Sequence, residues 1–268
     1  MSATRFRVVL EYDGTDFHGW QAQPGVRTVE GCLREAVAPL SPDGFETTGA
    51  SRTDTGVHAR GQCALVTLTR EREPLELRKA LAARTPPDMG VVSVDAVGGE
   101  FHPRTSAIEK RYLYVLNDRE RPTVLGRGFH WWVPRRLDVD AMAEGSRAWI
   151  GRHDFAAFRN RSKDEPPDTV KTVHQVDVSR EGEWVFVQVI GDGFLYRMVR
   201  NFVGTLVEVG RGHWAPAECG EILASTDRGR AGPSAPPQGL SLMEIAYPDT
   251  PRCVPQSPAE LLLKSGVG

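Results

Sequence analysis

Between Gly49 and Gln62 the chain reads GASRTDTGVHARGQ, which gathers one carboxylate (Asp54), two guanidinium groups (Arg52, Arg60), an imidazole (His58) and three glycines (Gly49, Gly56, Gly61). Glycines let the backbone turn tightly and let a ligand come close. A guanidinium beside a carboxyl group favours its ionised form, and an ionised carboxylate in a cleft can attack an electrophilic carbon. In an extended backbone Arg52 and Asp54 share a face; in a helical turn Asp54 and His58 lie one turn apart. The plain alternative is that Asp54 caps a turn, with Arg52 as its surface partner. His58 is read as structural within the loop.

Other chemistries fit less well. Asp54-Thr55-Gly56 is the tripeptide of aspartic proteases, but those enzymes share one proton between two carboxyl groups. No second Asp-Thr-Gly occurs, and Ser51-Arg52-Thr53 is not the apolar strand such a site needs. A glycosidase or nucleosidase would need a second carboxyl group as acid. A non-catalytic RNA-binding protein gains nothing from an acid facing phosphate, and no aromatic Lys-Gly-Phe-Gly-Phe-type segment is present. Phosphate-cradling, zinc-protease and serine-hydrolase motifs are missing as well. The seven histidines are dispersed and give no support for a metal site.

These residues must be held by surrounding elements. Arg5–Tyr12 predicts a strand ended by Asp13-Gly14, and Thr28–Leu40 a helix that Thr28 can cap, its last turn weakened by Pro39. Further strands are predicted at 62–68, 91–97, 111–116, 170–178, 184–190 and 240–247, with Gly182 in the turn of a hairpin. Helices are predicted at 75–83, 139–150, 194–209 and 216–224 by apolar residues at helical spacing. The order argues for an α+β fold in two halves, residues 1–105 and 106–268, with mainly antiparallel sheets, helices on one face and an open sheet face free for a large ligand. Residues 160–168 and 226–238 read as surface loops with little to pack.

The 268 residues suffice for a well-buried core, and 40% hydrophobic with 25% charged residues is ordinary for a soluble globular protein. The start of the chain lacks a signal peptide and no window has the length of a membrane span, so a cytoplasmic location is expected. Cys32, Cys63, Cys219 and Cys253 are scattered, which suits reduced thiols. Net charge is −2, yet residues 104–136 carry eight basic residues against three acids. Such a stretch can form a phosphate-binding face; only five of the 33 basic residues are lysines, so arginine bias could also account for it.

Seven blocks now stand in one order: EYDGTDFHGWQ (11–21), SRTDTGVHARGQ (51–62), FHPRTSA (101–107), KRYLYVL (110–116), HDFAAFR (153–159), GFLYRMVRNFVGTLVEVG (193–210) and APPQGLSLMEIAYP (235–248). Across nearly its whole length the chain resembles the bacterial tRNA pseudouridine synthase A family. It departs from the family pattern in Ser51, where glycine is usual, in Thr55, often alanine, and in Pro-Arg-Thr-Ser-Ala, where Ala-Arg-Phe-Ser-Ala is usual.

The resemblance implies two RRM-like (ferredoxin-like) halves around a central RNA-binding cleft, and a homodimer. It implies isomerisation of uridine to pseudouridine in the tRNA anticodon stem-loop, at positions 38–40, without cofactor or metal. By position it makes Asp54 the nucleophile, Arg200 its basic partner, Tyr112 the residue at the uracil ring and Arg52 the residue that keeps the nucleotide flipped out. Arg104, Lys110 and Arg111, in the basic stretch, are the candidates for RNA contacts.

Overall fold

The computed structural model describes residues 4–161 and 168–250. They form two compact units, the first comprising residues 4–108 and 241–250 and the second 109–161 and 168–240. The final strand therefore joins the first unit, whereas division at 105/106 would have left it with the second. Both units mix helices with mostly antiparallel strands, an α+β architecture.

The first unit runs β1 (Thr4–Tyr12), α1 (Val29–Val37), β2 (Phe45–Gly49), β3 (His58–Leu68), α2 (Pro74–Ala82), β4 (Met89–Ala96). Its sheet order is β4-β1-β3-β2, with every neighbouring pair antiparallel. Alternation along β1 sends Phe6, Val8 and Leu10 inward, where Leu33 and Val37 of α1 and Leu77 and Leu81 of α2 are also buried. Thr28 caps α1 by accepting the Gly31 N–H at 3.2 Å. The return strand β10 (Leu240–Ala246) pairs in parallel with the start of β3, Ser241 opposite His58.

In the second unit β5 (Glu109–Asn117), β6 (Trp131–Trp132), α3 (Val139–Ser146), β7 (Gly151–Asp154), β8 (Val170–Glu181), β9 (Trp184–Gly191), α4 (Met198–Gly210) and α5 (Glu218–Ser225) follow one another. The sheet order is β5-β9-β8-β7, all antiparallel, with β6 beside β5. The sequence β5, α3, β8, β9, α4 repeats the order β1, α1, β2, β3, α2, and β9 lies between β5 and β8 as β3 lies between β1 and β2. An aromatic cluster fills this core: Trp149 stacks on Phe202 at 4.3 Å, with Phe155 and Phe158 alongside. At its edge the buried Asp118 carboxylate takes two hydrogen bonds from Arg180, at 2.9 and 2.7 Å, and one from Leu137 N–H.

Two expectations are corrected. β5 and β9 are buried at nearly every consecutive residue, so both faces of these strands are covered and neither is an open ligand face. Residues 226–238 are not a loosely packed surface loop, because Gly232 N–H donates to Thr205 Oγ1 and Ala235 N–H to the Arg200 carbonyl, docking the segment on α4. The 160–168 segment falls largely outside the described residues. No helix among the described residues is long and apolar enough to cross a membrane.

Candidate functional site

The Asp54 loop joins β2 to β3 as the tip of an antiparallel hairpin. The sequence pattern predicts no strand after the helix at Thr28–Leu40, whereas β2 leads directly into the loop. After Asp54 the chain makes a tight turn rather than a helix: Val57 N–H donates to the Asp54 carbonyl at 3.1 Å, and Gly56 sits at φ 78°. That left-handed value at the third turn position favours glycine. Asp54 itself is half-buried, Arg52 is exposed and the intervening Thr53 is buried.

Buried neutral hydrogen bonds hold the loop. Gln62, 0% exposed, donates from Nε2 to the Ser51 carbonyl at 2.7 Å and accepts the Ser51 N–H on Oε1 at 3.2 Å. The same amide donates to the Tyr12 hydroxyl at 3.3 Å, which lies 2.8 Å from Thr53 Oγ1. A second loop, residues 13–20, packs against the first: Trp20 N–H donates to the Thr53 carbonyl and Gly56 N–H to the Phe17 carbonyl. Gly14 makes this approach possible, since a Cβ there would lie 2.1 Å from the Val57 carbonyl oxygen. Arg27 stacks over Phe17 at 4.1 Å and pairs with both oxygens of Asp88 at 2.7 Å. That pairing outweighs burial and holds the Asp88 carboxyl below its usual range.

His58 opens β3 and is buried, its Nδ1 2.9 Å from Gly14 N and 3.1 Å from Asp13 Oδ1. Its contacts are those of a loop fastener. Hydrogen bonding to His58 and to Thr15 holds the Asp13 carboxyl well below the ordinary range against the opposing effect of burial.

Arg104 belongs to the same unit and donates from Nε to the Gly49 carbonyl at 3.0 Å, tying residues 101–107 to the base of the hairpin. Burial, then the nearby positive charge of Arg52, push its guanidinium pKa down, with Glu30 opposing. The positive charge of Arg52 is thus felt at Arg104, and both guanidinium groups belong to the unit that carries the Asp54 loop.

Tyr112 and Arg200 lie in the second unit. Tyr112, 6% exposed, faces Phe194 edge-on with ring centroids 5.2 Å apart. It shares a face of β5 with Tyr114, two residues on, whose hydroxyl donates to the Pro236 carbonyl at 2.7 Å. Burial raises the Tyr114 pKa well above that of an ordinary phenol, and the positive charge of Arg200 counteracts part of that rise. Arg200, 7% exposed in the first turn of α4, donates from Nε to the Ala235 carbonyl at 2.7 Å. Tyr112 and Arg200 thus belong to the same unit, and the charge of Arg200 is felt at Tyr114, two residues from Tyr112 on β5. Lys110 and Arg111 follow Glu109 at the start of β5; Lys110 is half-buried and Arg111 is buried.

The sequence pattern gives no role to Gln62, Tyr12, Tyr114 or Phe194. The available signal was Gln62 itself, a polar residue heading the apolar run QCALVTL, since a buried polar side chain must find partners. Among the described residues no group of three or more His, Cys, Asp or Glu side chains is arranged to hold a metal ion.

Comparison with known proteins agrees with these blocks. The family described as tRNA pseudouridine synthase matches residues 8–105 and 146–248. Asp54, Arg52, Arg104 and Arg200 fall within those ranges; Lys110, Arg111 and Tyr112 fall between them. The chain is 41% identical to tRNA pseudouridine synthase A of Paramagnetospirillum magneticum, over 91% of this chain and 95% of that protein. It is 40% identical to the protein of that name from Afipia carboxidovorans, over 91% of this chain and 99% of the other. A crystal structure of the archaeal box H/ACA sRNP Nop10-Cbf5 complex aligns with 75% of this chain and 43% of that one, at 11% identity and a TM-score of 0.33, a likeness too low to bear on function. With the family matched over most of the chain and relatives near 40% identity along nine-tenths of it, the chain belongs to the tRNA pseudouridine synthase family, whose members isomerise uridine to pseudouridine in tRNA.

Proposed function

We propose that Asp54 is the nucleophile of this isomerisation, that Arg200 is its basic partner, and that Tyr112 and Arg52 hold the flipped-out uridine. The observation that carries the reading is the scaffold of the Asp54 loop: Gln62 and Trp20 fasten its backbone and Tyr12 its Thr53 side chain on one side, Phe17 fastens Gly56 on the other, and Asp54 stays half-buried between them. A nucleophile needs a fixed backbone and a side chain that substrate can reach.

The substrate proposed is the tRNA anticodon stem-loop at positions 38–40, acted on by a cytoplasmic homodimer. A stacked uridine must leave its stack to be reached, at a cost of a few kcal/mol. A ring at Tyr112, already oriented by Phe194, and phosphate contacts from Arg52 and Arg104, with Lys110 and Arg111 as further basic residues, would offset that cost. Asp54 adds to C1′ of the ribose or to C6 of the uracil. The bond from N1 to C1′ breaks, the base turns, C1′ bonds to C5, the bond to Asp54 breaks to return the free carboxylate, the proton leaves C5 and N1 gains a proton. The product is an isomer of the substrate. The βαββαβ order of the first unit, with sheet order 4-1-3-2, supports reading the halves as RRM-like.

Loss of the C5 proton supplies a direct test. tRNA labelled with tritium at C5 of uridine should release tritium to water when treated with the protein, and mapping of pseudouridine in the product should place it at 38–40. Tritium release with pseudouridine confined to another arm of the tRNA would overturn the anticodon assignment. Binding should also weaken steeply with salt, as phosphate contacts require; a flat response would remove the arginines from the RNA interface.

A further inference from the structure

We infer that Arg228 is a positioning residue for Arg200, an assignment that rests on the role proposed above for Arg200. Arg228 lies in a short helical turn, Arg228–Arg230, just after α5. All five of its guanidinium N–H groups meet neutral oxygens. Nε donates to Asn160 Oδ1 at 3.3 Å, Nη1 to the carbonyls of Ala231 and Gly232 at 3.3 and 3.0 Å, and Nη2 to Asn201 Oδ1 and Ser234 Oγ at 3.0 and 3.4 Å.

One side chain therefore joins three stretches: the segment after Phe158, helix α4 at Asn201, and residues 231–234. Asn201 closes the circuit by donating from Nδ2 to the Phe158 carbonyl at 2.7 Å and to Asn160 Oδ1 at 2.8 Å.

What this circuit holds is the segment that orients Arg200. Residues 232–235 run along α4 at a separation only glycine allows, since a Cβ on Gly204 would lie 1.7 Å from the Pro233 carbonyl oxygen. The Gly232 N–H is taken by Thr205 Oγ1 at 3.0 Å. At its end Ala235 makes a reciprocal pair with Arg200, its N–H donating to the Arg200 carbonyl at 3.0 Å and its carbonyl accepting Arg200 Nε at 2.7 Å. The Arg200 Nε is thus held by a backbone carbonyl, and that carbonyl's segment is held by Arg228.

The chemistry at position 228 calls for a planar fork with five donors rather than for charge alone. Lysine offers three donors from one point and cannot serve five acceptors spread around a plane. A displacement near 1 Å at a group facing the reacting atoms costs on the order of 10²-fold in rate.

The test measures kcat and KM for tRNA, with circular dichroism and melting temperature, in Arg228→Lys, Ser234→Ala and Arg200→Gln. The expected result is a folded Arg228→Lys protein whose kcat falls about 10- to 100-fold while KM stays within about twofold. Ser234→Ala, which removes one acceptor and leaves Arg228 in place, should show a smaller fall of the same kind, and it carries the test if Arg228→Lys fails to fold. Wild-type kcat in folded Arg228→Lys would overturn the assignment, as would a loss confined to KM or one that only follows the fraction of folded protein. Arg200→Gln separates the two readings. Wild-type kcat there would remove the role of Arg200 itself, whereas an inactive Arg200→Gln beside a fully active Arg228→Lys would remove only the role of Arg228.

Discussion

The Asp54 loop and the first turn of α4 solve one problem by different means. The loop carries a half-buried acid and is fixed in part by neutral side chains: the Gln62 amide bonds the Ser51 backbone, and the Tyr12 hydroxyl links the Gln62 amide to the Thr53 hydroxyl. The helix carries a nearly buried cation and is fixed by a docked segment, which is held by a second guanidinium whose partners are all neutral. In both, backbone carbonyls and uncharged side chains supply much of the hold on the stretch that carries the charged group. Hydrogen bonds between uncharged groups, such as those of the Gln62 amide, do not change with pH. Glycines at close backbone approaches, Gly14 in one region and Gly204 in the other, complete each scaffold.

The comparison is most exposed at those glycines. Gly14→Ala and Gly204→Ala each place a methyl group against a backbone carbonyl that cannot swing away, and each should cost about 3 kcal/mol or more, read by urea unfolding. A loss under about 0.5 kcal/mol at either position, the size of an ordinary surface change, would show that its segment is not held by close approach.

A second comparison sets a charged cluster against a neutral one. Asp118→Asn leaves Arg180 facing a weaker acceptor and should cost about 3 kcal/mol at pH 7. Burial pushes the Asp118 pKa up, but hydrogen bonds from Arg180 and Leu137 outweigh it and the carboxyl is held below its usual value of 3.8. A depressed folded pKa gives stability that is present above the unfolded value and lost as pH falls through the folded one. The gap between wild type and Asp118→Asn should therefore narrow as pH drops below 3.8. Gln62→Leu should cost about 2 kcal/mol by stranding Ser51 and Tyr12 groups, and by the same amount at pH 4 and pH 7. A Gln62→Leu penalty that varies with acid as the Asp118→Asn penalty does would contradict the account of a neutral scaffold.

The smallest effect concerns the thiols. Burial pushes Cys63 up to about 11 and Cys219 up to about 12, so both should resist alkylation at pH 8 in the folded protein and react once it is unfolded in urea. Mapping of labelled peptides checks this, and rapid labelling of either in the native state would show that its surroundings open.

Much of the fold was legible because it depends on local pattern. The alternation of Arg5–Tyr12, the capped helix after Thr28 and the Gly182 turn, now seen at φ 59°, needed no distant partner. Misses came where distant contacts decide. β2 is the polar FETTG and becomes a strand through pairing with β3. β3 begins four residues earlier than predicted because Tyr12 and Ser241 pair with Ala59 and His58. Helix α4 starts at Met198 rather than Phe194 because Arg197 turns left-handed at φ 61°. Of the residues proposed for the chemistry, Asp54, Arg52, Tyr112 and Arg200 stand out by type, position and family likeness. Gln62, Tyr114 and Arg228 act through atoms far apart in sequence, and single-residue patterns do not register such partnerships.

The most direct test of the central claim is single-turnover pseudouridine formation by Asp54→Asn on a tRNA bound in parallel assays. An amide keeps the shape of the side chain and removes its nucleophilic oxygen pair, so the account predicts no detectable product with tRNA affinity kept within a few-fold. Product formed at the wild-type rate would contradict the assignment of Asp54 as the attacking group.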